Sequence, residues 1–206
     1  MTERRRMAVG ISGASGVVFG VRLLEILRDL DIETHLVMTP AAEVTLACET
    51  SHKVANVRAL ASQWYAADNM AAGIASGSFS ALGMVVAPCS MRSLAEIASG
   101  ATTTLLTRAA DVMLKERRRL VLLVRETPLH SGHLRNMLTV SELGGIIAPP
   151  VPAFYAKPES IDDMVDHTVG RILDLFGLES GTVRRWREDA RKSGAPVRVV
   201  GGSDAD

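Results

Sequence analysis

The chain has 206 residues, 47% of them apolar and 22% charged, which is a globular mixture on the scale of one domain. Its 23 Lys+Arg balance 23 Asp+Glu, so the basic excess of a general nucleic-acid binder is missing. Two cysteines, Cys48 and Cys89, exclude a disulfide scaffold and a four-thiolate zinc site, and no apolar run reaches the length of a membrane span.

Arg4-Arg5-Arg6 and the apolar residues after them imitate a signal peptide. Gly10, Ser12, Gly13, Ser15 and Gly16 break that run at once, so the expectation is a cytoplasmic protein with reduced thiols. Residues 7–12 read as a strand buried on both faces, and it enters the loop Gly13-Ala14-Ser15-Gly16. Residues 17–30 carry Leu23, Leu24, Ile26, Leu27 and Leu30 at helical spacing. Residues 34–38 read as a second strand, and Pro40 starts a helix that runs to about Glu49. This alternation predicts an α/β fold, a parallel sheet with helices on both faces.

Residues 50–80 give no clear element. They include Asp68-Asn69-Met70 and the small-residue run Ala75-Ser76-Gly77-Ser78, read as a loop near the site. Residues 81–87 predict a buried strand ending at Pro88-Cys89-Ser90, followed by helices over 91–99 and 105–115. A strand over 120–124 delivers Arg125-Glu126-Thr127-Pro128, and residues 145–148 are short and apolar before a stiff proline segment. Ser160 and Asp163 form a capping box for a last helix. Its apolar stripe is read as Ile161, Met164, Val165, Val169, Ile172, Leu173 and Phe176, with Gly177 as its stop. The chain thus divides into one α/β domain over residues 1–178 and a charged tail over 179–206, loosely held or used in subunit contacts.

Three strand ends carry candidate chemistry, at the sheet edge where doubly wound folds bind ligands. The first loop is spaced G-x-x-G-x-x-G rather than G-x-G-x-x-G, and Thr39 stands where a dinucleotide site would place an acid. Hydroxyls at Ser12, Ser15 and Thr39 suit a terminal phosphate or a flavin edge. No Gly-Lys-Ser/Thr follows, so this is not a nucleoside-triphosphate loop. Ser90-Met91-Arg92-Ser93 stands at a second strand-to-helix junction, whose N–H groups suit an anion. Cys89 beside it reads as a small buried hydrophobe. His130 and His133 are three apart without partners to complete a zinc site, and Asp162-Asp163 lacks further carboxylates, so no metal is expected. The apolar, aromatic-poor composition points to an oligomer.

Six segments, taken in order, resemble the UbiX flavin prenyltransferases over residues 7 to 178. They are Gly13-Ala14-Ser15-Gly16, the stretch from Ser76 to Ser90, Arg108-Ala109-Ala110-Asp111-Val112, Leu114-Lys115-Glu116-Arg117-Arg118, Arg125-Glu126-Thr127-Pro128 and Pro152-Ala153-Phe154-Tyr155. The resemblance implies a Rossmann-like (flavodoxin-like) sheet in a homododecamer built from trimers. It implies transfer of a dimethylallyl group from dimethylallyl monophosphate to N5 and C6 of reduced FMN, without a metal. The product would serve a UbiD-type decarboxylase.

By resemblance, Gly13, Ala14, Ser15, Thr39, Ser90, Met91, Arg92, Ser93 and Arg125 fall on FMN-binding positions. Lys115, Arg125, Glu126, Tyr155 and Arg171 fall on prenyl-phosphate positions, with Arg108 near the shared site. Ser15, Glu49, Lys115 and Glu126 fall on catalytic positions. The chain departs from the family pattern at Thr39-Pro40, at Asn69 and at Thr103-Thr104. Two other readings stay open, a flavin-dependent decarboxylase of a small acid and a non-catalytic FMN-binding partner. The first usually needs a histidine after the first helix, whereas His35 sits inside the second strand.

Overall fold

A computed structural model describes residues 5–186. Six parallel strands form one sheet in the order β3-β2-β1-β4-β5-β6. They are β1 (Arg6–Ile11), β2 (Glu33–Met38), β3 (Gln63–Tyr65), β4 (Gly83–Cys89), β5 (Arg119–Val124) and β6 (Ile146–Ile147). The helices are α1 (Val17–Asp29), α2 (Pro40–Glu49), α3 (Val54–Leu60), α4 (Met91–Ser99), α5 (Leu105–Lys115), α6 (Ser131–Glu142) and α7 (Ile161–Asp174).

The sheet has two buried faces because β1, β4 and β5 are apolar and buried from their second residue on. Along β1, Met7, Val9 and Ile11 join a core with α1 and α7, while Ala8 faces the opposite core with Met84, Val86 and residues of α5. All seven residues of β4 are buried. Strand order reverses between β1 and β4, so their carboxyl ends open a crevice in which such folds bind ligands.

Several elements differ from the sequence reading. Residues 50–62 hold a short helix, α3, and β3 is a three-residue edge strand. Helix α6 escapes the usual signals because His130, not Ser, Thr, Asp or Asn, caps it. Its imidazole Nδ1 accepts from the Gly132 and His133 N–H groups. The Ser160–Asp163 capping box is present. Ile161 does not belong to the α7 stripe: it is 76% exposed, while His167 is buried among the core positions. The whole start of α7 is exposed, Asp162 and Asp163 along with Ile161, and burial begins only with Met164 and Val165.

Part of the charged tail is docked. Thr182 Oγ1 donates to the Asp166 carbonyl, Arg184 donates to the Ala156 carbonyl, and Arg185 pairs with Asp174. Residues 187–206 of the tail lie outside the described residues.

Candidate active site

The crevice at the switch point holds a cavity of about 720 Å³, which is within the range of cofactor pockets. Its walls come from four strand ends. Gly13 and Ala14 follow β1, Thr39 to Ala41 follow β2, Ser90 to Ser93 follow β4, and Arg125 and Glu126 follow β5. Ala67, Asp68, Glu96, Thr103 and Thr104 complete it.

Local chemistry explains why these loops converge. Ser12 is fully buried and ties two strand ends together. Its Oγ donates to the Pro88 carbonyl at 2.8 Å and accepts from the Ser90 N–H at 2.7 Å. The Arg125 N–H donates to the Cys89 carbonyl at 3.1 Å, which joins the third strand end to the second. At Gly13 an added Cβ would overlap the Ala41 side chain, so only glycine lets the first loop lie against α2. Gly16 has φ +97°, a left-handed conformation that glycine adopts without penalty.

Two helix N-termini point at this cavity. Thr39 caps α2 through the Ala42 N–H at 3.2 Å, with Pro40 in the first turn. Ser90 caps α4 through the Ser93 N–H at 3.3 Å. The remaining first-turn N–H groups, the helix dipoles and the nearby hydroxyls suit a phosphate. Arg92 and Arg125 add positive charge to the walls. An anionic, ring-bearing nucleotide such as FMN therefore fits the donor set: N–H groups and cations for phosphate, an apolar wall at Ala14, Pro40, Ala41, Ala67 and Met91 for a ring.

The carboxylates are held in different ways. Glu49 accepts from the Gly16 and Val17 N–H groups at 2.8 and 3.3 Å. Partial burial alone would raise its pKa. Hydrogen bonds from Ser15, Gly16 and Val17, with the Arg125 charge nearby, outweigh burial and hold it below the ordinary carboxylate value. Glu96 accepts from Arg92 Nε at 2.9 Å and Thr103 Oγ1 at 2.6 Å. These bonds likewise outweigh its burial and keep it ionised. Glu126 accepts the Thr127 N–H at 3.0 Å and faces the cavity. Cys89 is fully buried, and burial pushes its thiol up to about 12, so it is no nucleophile at neutral pH.

Of the residues singled out in the sequence, Gly13, Ala14, Thr39, Ser90, Met91, Arg92, Ser93, Arg125 and Glu126 line this one cavity. Ser15 follows the lining residue Ala14, and Glu49 is hydrogen-bonded to the Gly16 N–H next to it, but neither lines the cavity. The remaining four do not reach it within one chain. Arg108 donates to the Ala75 carbonyl at 3.1 Å and pairs with Asp111 at 2.8 Å. Lys115 ends α5 and pairs with Glu116. Helix α5 is about 16 Å long, and its far end leads into the amino end of β5, across the sheet from the cavity. Arg171 pairs with Asp174 near the end of α7. That end also lies at the amino edge of the sheet, since the Phe176 ring stacks 5.7 Å from Arg119 at the start of β5. Tyr155 packs against His167 on α7 and against Trp186 of the tail. The small-residue run 75–78 is not at the cavity either. It descends along α5 to the opposite edge, where Arg118 holds it through the Gly77 carbonyl.

Asp68 lies in the segment that the sequence reads as a loop near the site, and it lines the cavity; Ala67 and Glu96 line it without any such reading. Glu96 carried one usable signal, its i,i+4 spacing from Arg92 on α4. Ala67 is placed by the Leu105 N–H, which donates to its carbonyl at 2.7 Å, a long-range contact without a local motif.

A phosphate-cradling cavity at the switch point of a doubly wound parallel sheet defines a nucleotide-binding α/β protein, here of the flavoprotein class, since the Flavoprotein family model matches residues 1–173. The chain is 56% identical over 186 residues to flavin prenyltransferase UbiX of Escherichia coli (strain K12), covering 89% of this chain and 98% of that protein. It is 50% identical over 182 residues to the mitochondrial flavin prenyltransferase PAD1 of Saccharomyces cerevisiae, covering 88% and 75%. It superposes on the crystal structure of AnUbiX (PadA1) in complex with FMN and dimethylallyl pyrophosphate with a TM-score of 0.88. The sequence identity there is 55%, over 89% of this chain and 98% of the other. A dodecameric FMN-dependent UbiX-like decarboxylase from Escherichia coli O157:H7 gives a TM-score of 0.86 at 49% identity, over 88% and 98%. The chain belongs to the UbiX-type flavin prenyltransferase family.

Proposed function

We propose that this protein joins the dimethylallyl group of dimethylallyl monophosphate to N5 and C6 of reduced FMN. The observation that carries the reading is the convergence of nine family-matched residues on a single cavity at the switch point, in a chain 56% identical to a flavin prenyltransferase. Reduced flavin, when bound, would supply the electron-rich atoms that the allyl group alkylates as its C–O bond to phosphate breaks.

The chain's own residues have three tasks. Ser90, Ser93, Thr39 and the N-termini of α2 and α4 hold phosphate and ribityl oxygens of FMN, and Arg92 and Arg125 add charge. Arg125, Lys115 and Arg171 meet the charge that grows on the departing phosphate, with Tyr155 as a neutral donor. Glu49, ionised and hydrogen-bonded to Ser15, is the proton acceptor of the pair, and Glu126 across the cavity is the second carboxylate.

Lys115 and Arg171 lie at the sheet edge opposite their own cavity. We therefore assign them, with Tyr155, to the cavity of a neighbouring copy in a homo-oligomer. The dodecameric relative supports such an assembly. Arg108 belongs near that shared boundary. The monophosphate is the donor that the family resemblance implies, whereas the related crystal structure holds the diphosphate. The prenylated flavin would serve a UbiD-type decarboxylase, and the reading places the enzyme in the cytoplasm. Among the described residues no helix is long and apolar enough to cross a membrane, and no three metal-ligating side chains stand together.

A direct decarboxylase reading gains nothing from His35. Its ring nitrogens are taken by Glu33 at 2.9 Å and Tyr65 at 2.8 Å, and it is buried inside β2. The test is donor choice: reduced FMN incubated with the monophosphate or the diphosphate, with product followed by its absorbance. Faster turnover with the monophosphate supports the proposal, and equal or faster turnover with the diphosphate contradicts the donor assignment.

A further inference from the structure

We infer that Gly77 is a positioning residue for Lys115, kept small so that the Lys115 ammonium can be seated beside the strap formed by residues 75–79. The inference rests on the reading of Lys115 as a cation that serves the prenyl phosphate, and it deepens that reading.

The geometry is local. A methyl group built on Gly77 would overlap the Glu116 carboxylate and stand 2.6 Å from Lys115 Nζ. The ion pair of Lys115 and Glu116 therefore lies directly against the Gly77 Cα. The backbone does not itself require glycine, since Gly77 is not among the residues with positive φ.

What yields to an added methyl decides the outcome, and the strap is the stiffer side. Arg118 donates from Nη2 to the Gly77 carbonyl at 2.9 Å and from Nη1 to the Phe79 carbonyl. Arg108 donates to the Ala75 carbonyl at 3.1 Å. The Phe79 ring is held edge-on by His35 at 4.6 Å and lies under the Arg6 guanidinium at 5.5 Å. Lys115, by contrast, hangs on four methylenes, and its side chain is 45% exposed. A methyl at position 77 displaces the ammonium and leaves the strap in place. Displacing one cation from a leaving phosphate weakens substrate binding and transition-state stabilisation, while FMN, whose assigned contacts do not include Lys115, keeps its affinity.

The test compares Gly77→Ala, Lys115→Ala and the double variant, with Glu116→Gln as a fourth protein that removes the anion without adding bulk. Each is assayed for KM and kcat with dimethylallyl phosphate, for FMN affinity and for Tm. The inference expects Gly77→Ala to raise KM about tenfold with FMN affinity and Tm unchanged, an effect of the size of a misplaced charge-assisted contact. It expects no further loss when Gly77→Ala is added to Lys115→Ala, and a raised KM in Glu116→Gln, whose Lys115 has lost its anchor. Wild-type kinetics in Gly77→Ala beside an impaired Lys115→Ala would overturn the inference and leave the Lys115 reading standing. Wild-type kinetics in Lys115→Ala would overturn both. Parallel loss of Tm, FMN affinity and activity in Gly77→Ala would make the strap a general scaffold and overturn the positioning role. Should Gly77→Ala not fold, wild-type KM in Glu116→Gln would overturn it as well.

Discussion

The Glu49 carboxylate accepts the Gly16 N–H at 2.8 Å, so the last residue of α2 closes the first turn of α1. An intramolecular anion thus occupies the positive end of α1, which leaves the N-termini of α2 and α4 for the proposed phosphate site. Glu49→Gln should cost about 0.5–1 kcal/mol at pH 7, the size of a lost cap contact at a partly exposed site. The carboxylate's folded pKa lies below its ordinary value of 4.5. Its contribution is therefore complete above that value and disappears as pH falls through the folded pKa. Urea unfolding at pH 7 and below pH 4 checks this: the gap between wild type and Glu49→Gln should close in acid. On the proposed role of Glu49 as proton acceptor, prenyl transfer in Glu49→Gln should fall further than stability does.

His35 carries a second pH dependence, away from the cavity. Its folded pKa is lowered, first by burial, with the Glu33 hydrogen bond only partly opposing it. The unfolded chain binds a proton more readily than the folded chain below pH 6.5. Stability from this residue is therefore full above pH 6.5 and declines as pH drops toward the folded value. His35→Gln should flatten the Tm profile below pH 6.5. An unchanged slope would remove His35 as its source.

Arg171→Ala should slow single-turnover prenylation while FMN still binds. Losing one charge-assisted contact to a leaving phosphate costs roughly 2–4 kcal/mol of transition-state stabilisation, or about thirty- to a thousand-fold in rate. Arg171 is 51% exposed and Asp174 keeps Arg185 as a partner, so folding should survive. Tyr155→Phe should cost less, because a neutral donor is lost, and the pair should be sub-additive. Wild-type rates in Arg171→Ala, or parallel loss of FMN, would sever this residue from the prenyl phosphate.

If cavity and distant cations meet across subunits, two inactive variants should rescue one another. Arg125→Ala lacks a cavity-wall cation, and Lys115→Ala lacks the cation lent to a neighbour. Co-refolded mixtures should regain part of the wild-type rate, because some sites in a mixed oligomer draw both intact residues from different chains. Additive inactivity at every mixing ratio would put Lys115 and Arg125 in the same chain's site.

Much of this site is legible in the sequence because strand ends announce themselves. A buried apolar run that stops at Gly13-Ala14-Ser15, at Ser90-Met91-Arg92 or at Arg125-Glu126 marks the carboxyl edge of a parallel sheet. Asp68 carries no such signal, since it follows an edge strand of three residues with two of them exposed. Helix α6 hides behind its histidine cap and its exposed Leu134 and Leu138, which blur any apolar face. The place of Lys115 cannot be read from its motif alone. Eleven residues of α5 carry it from the cavity edge to the far edge, and only the folded sheet shows that its own cavity is out of reach.

The central claim is tested most directly by the mass of the flavin recovered after anaerobic incubation of the purified protein with reduced FMN and dimethylallyl monophosphate. The account predicts FMN heavier by one dimethylallyl unit, with inorganic phosphate released in equal amount. Unchanged FMN, from protein shown to bind it, would contradict the account.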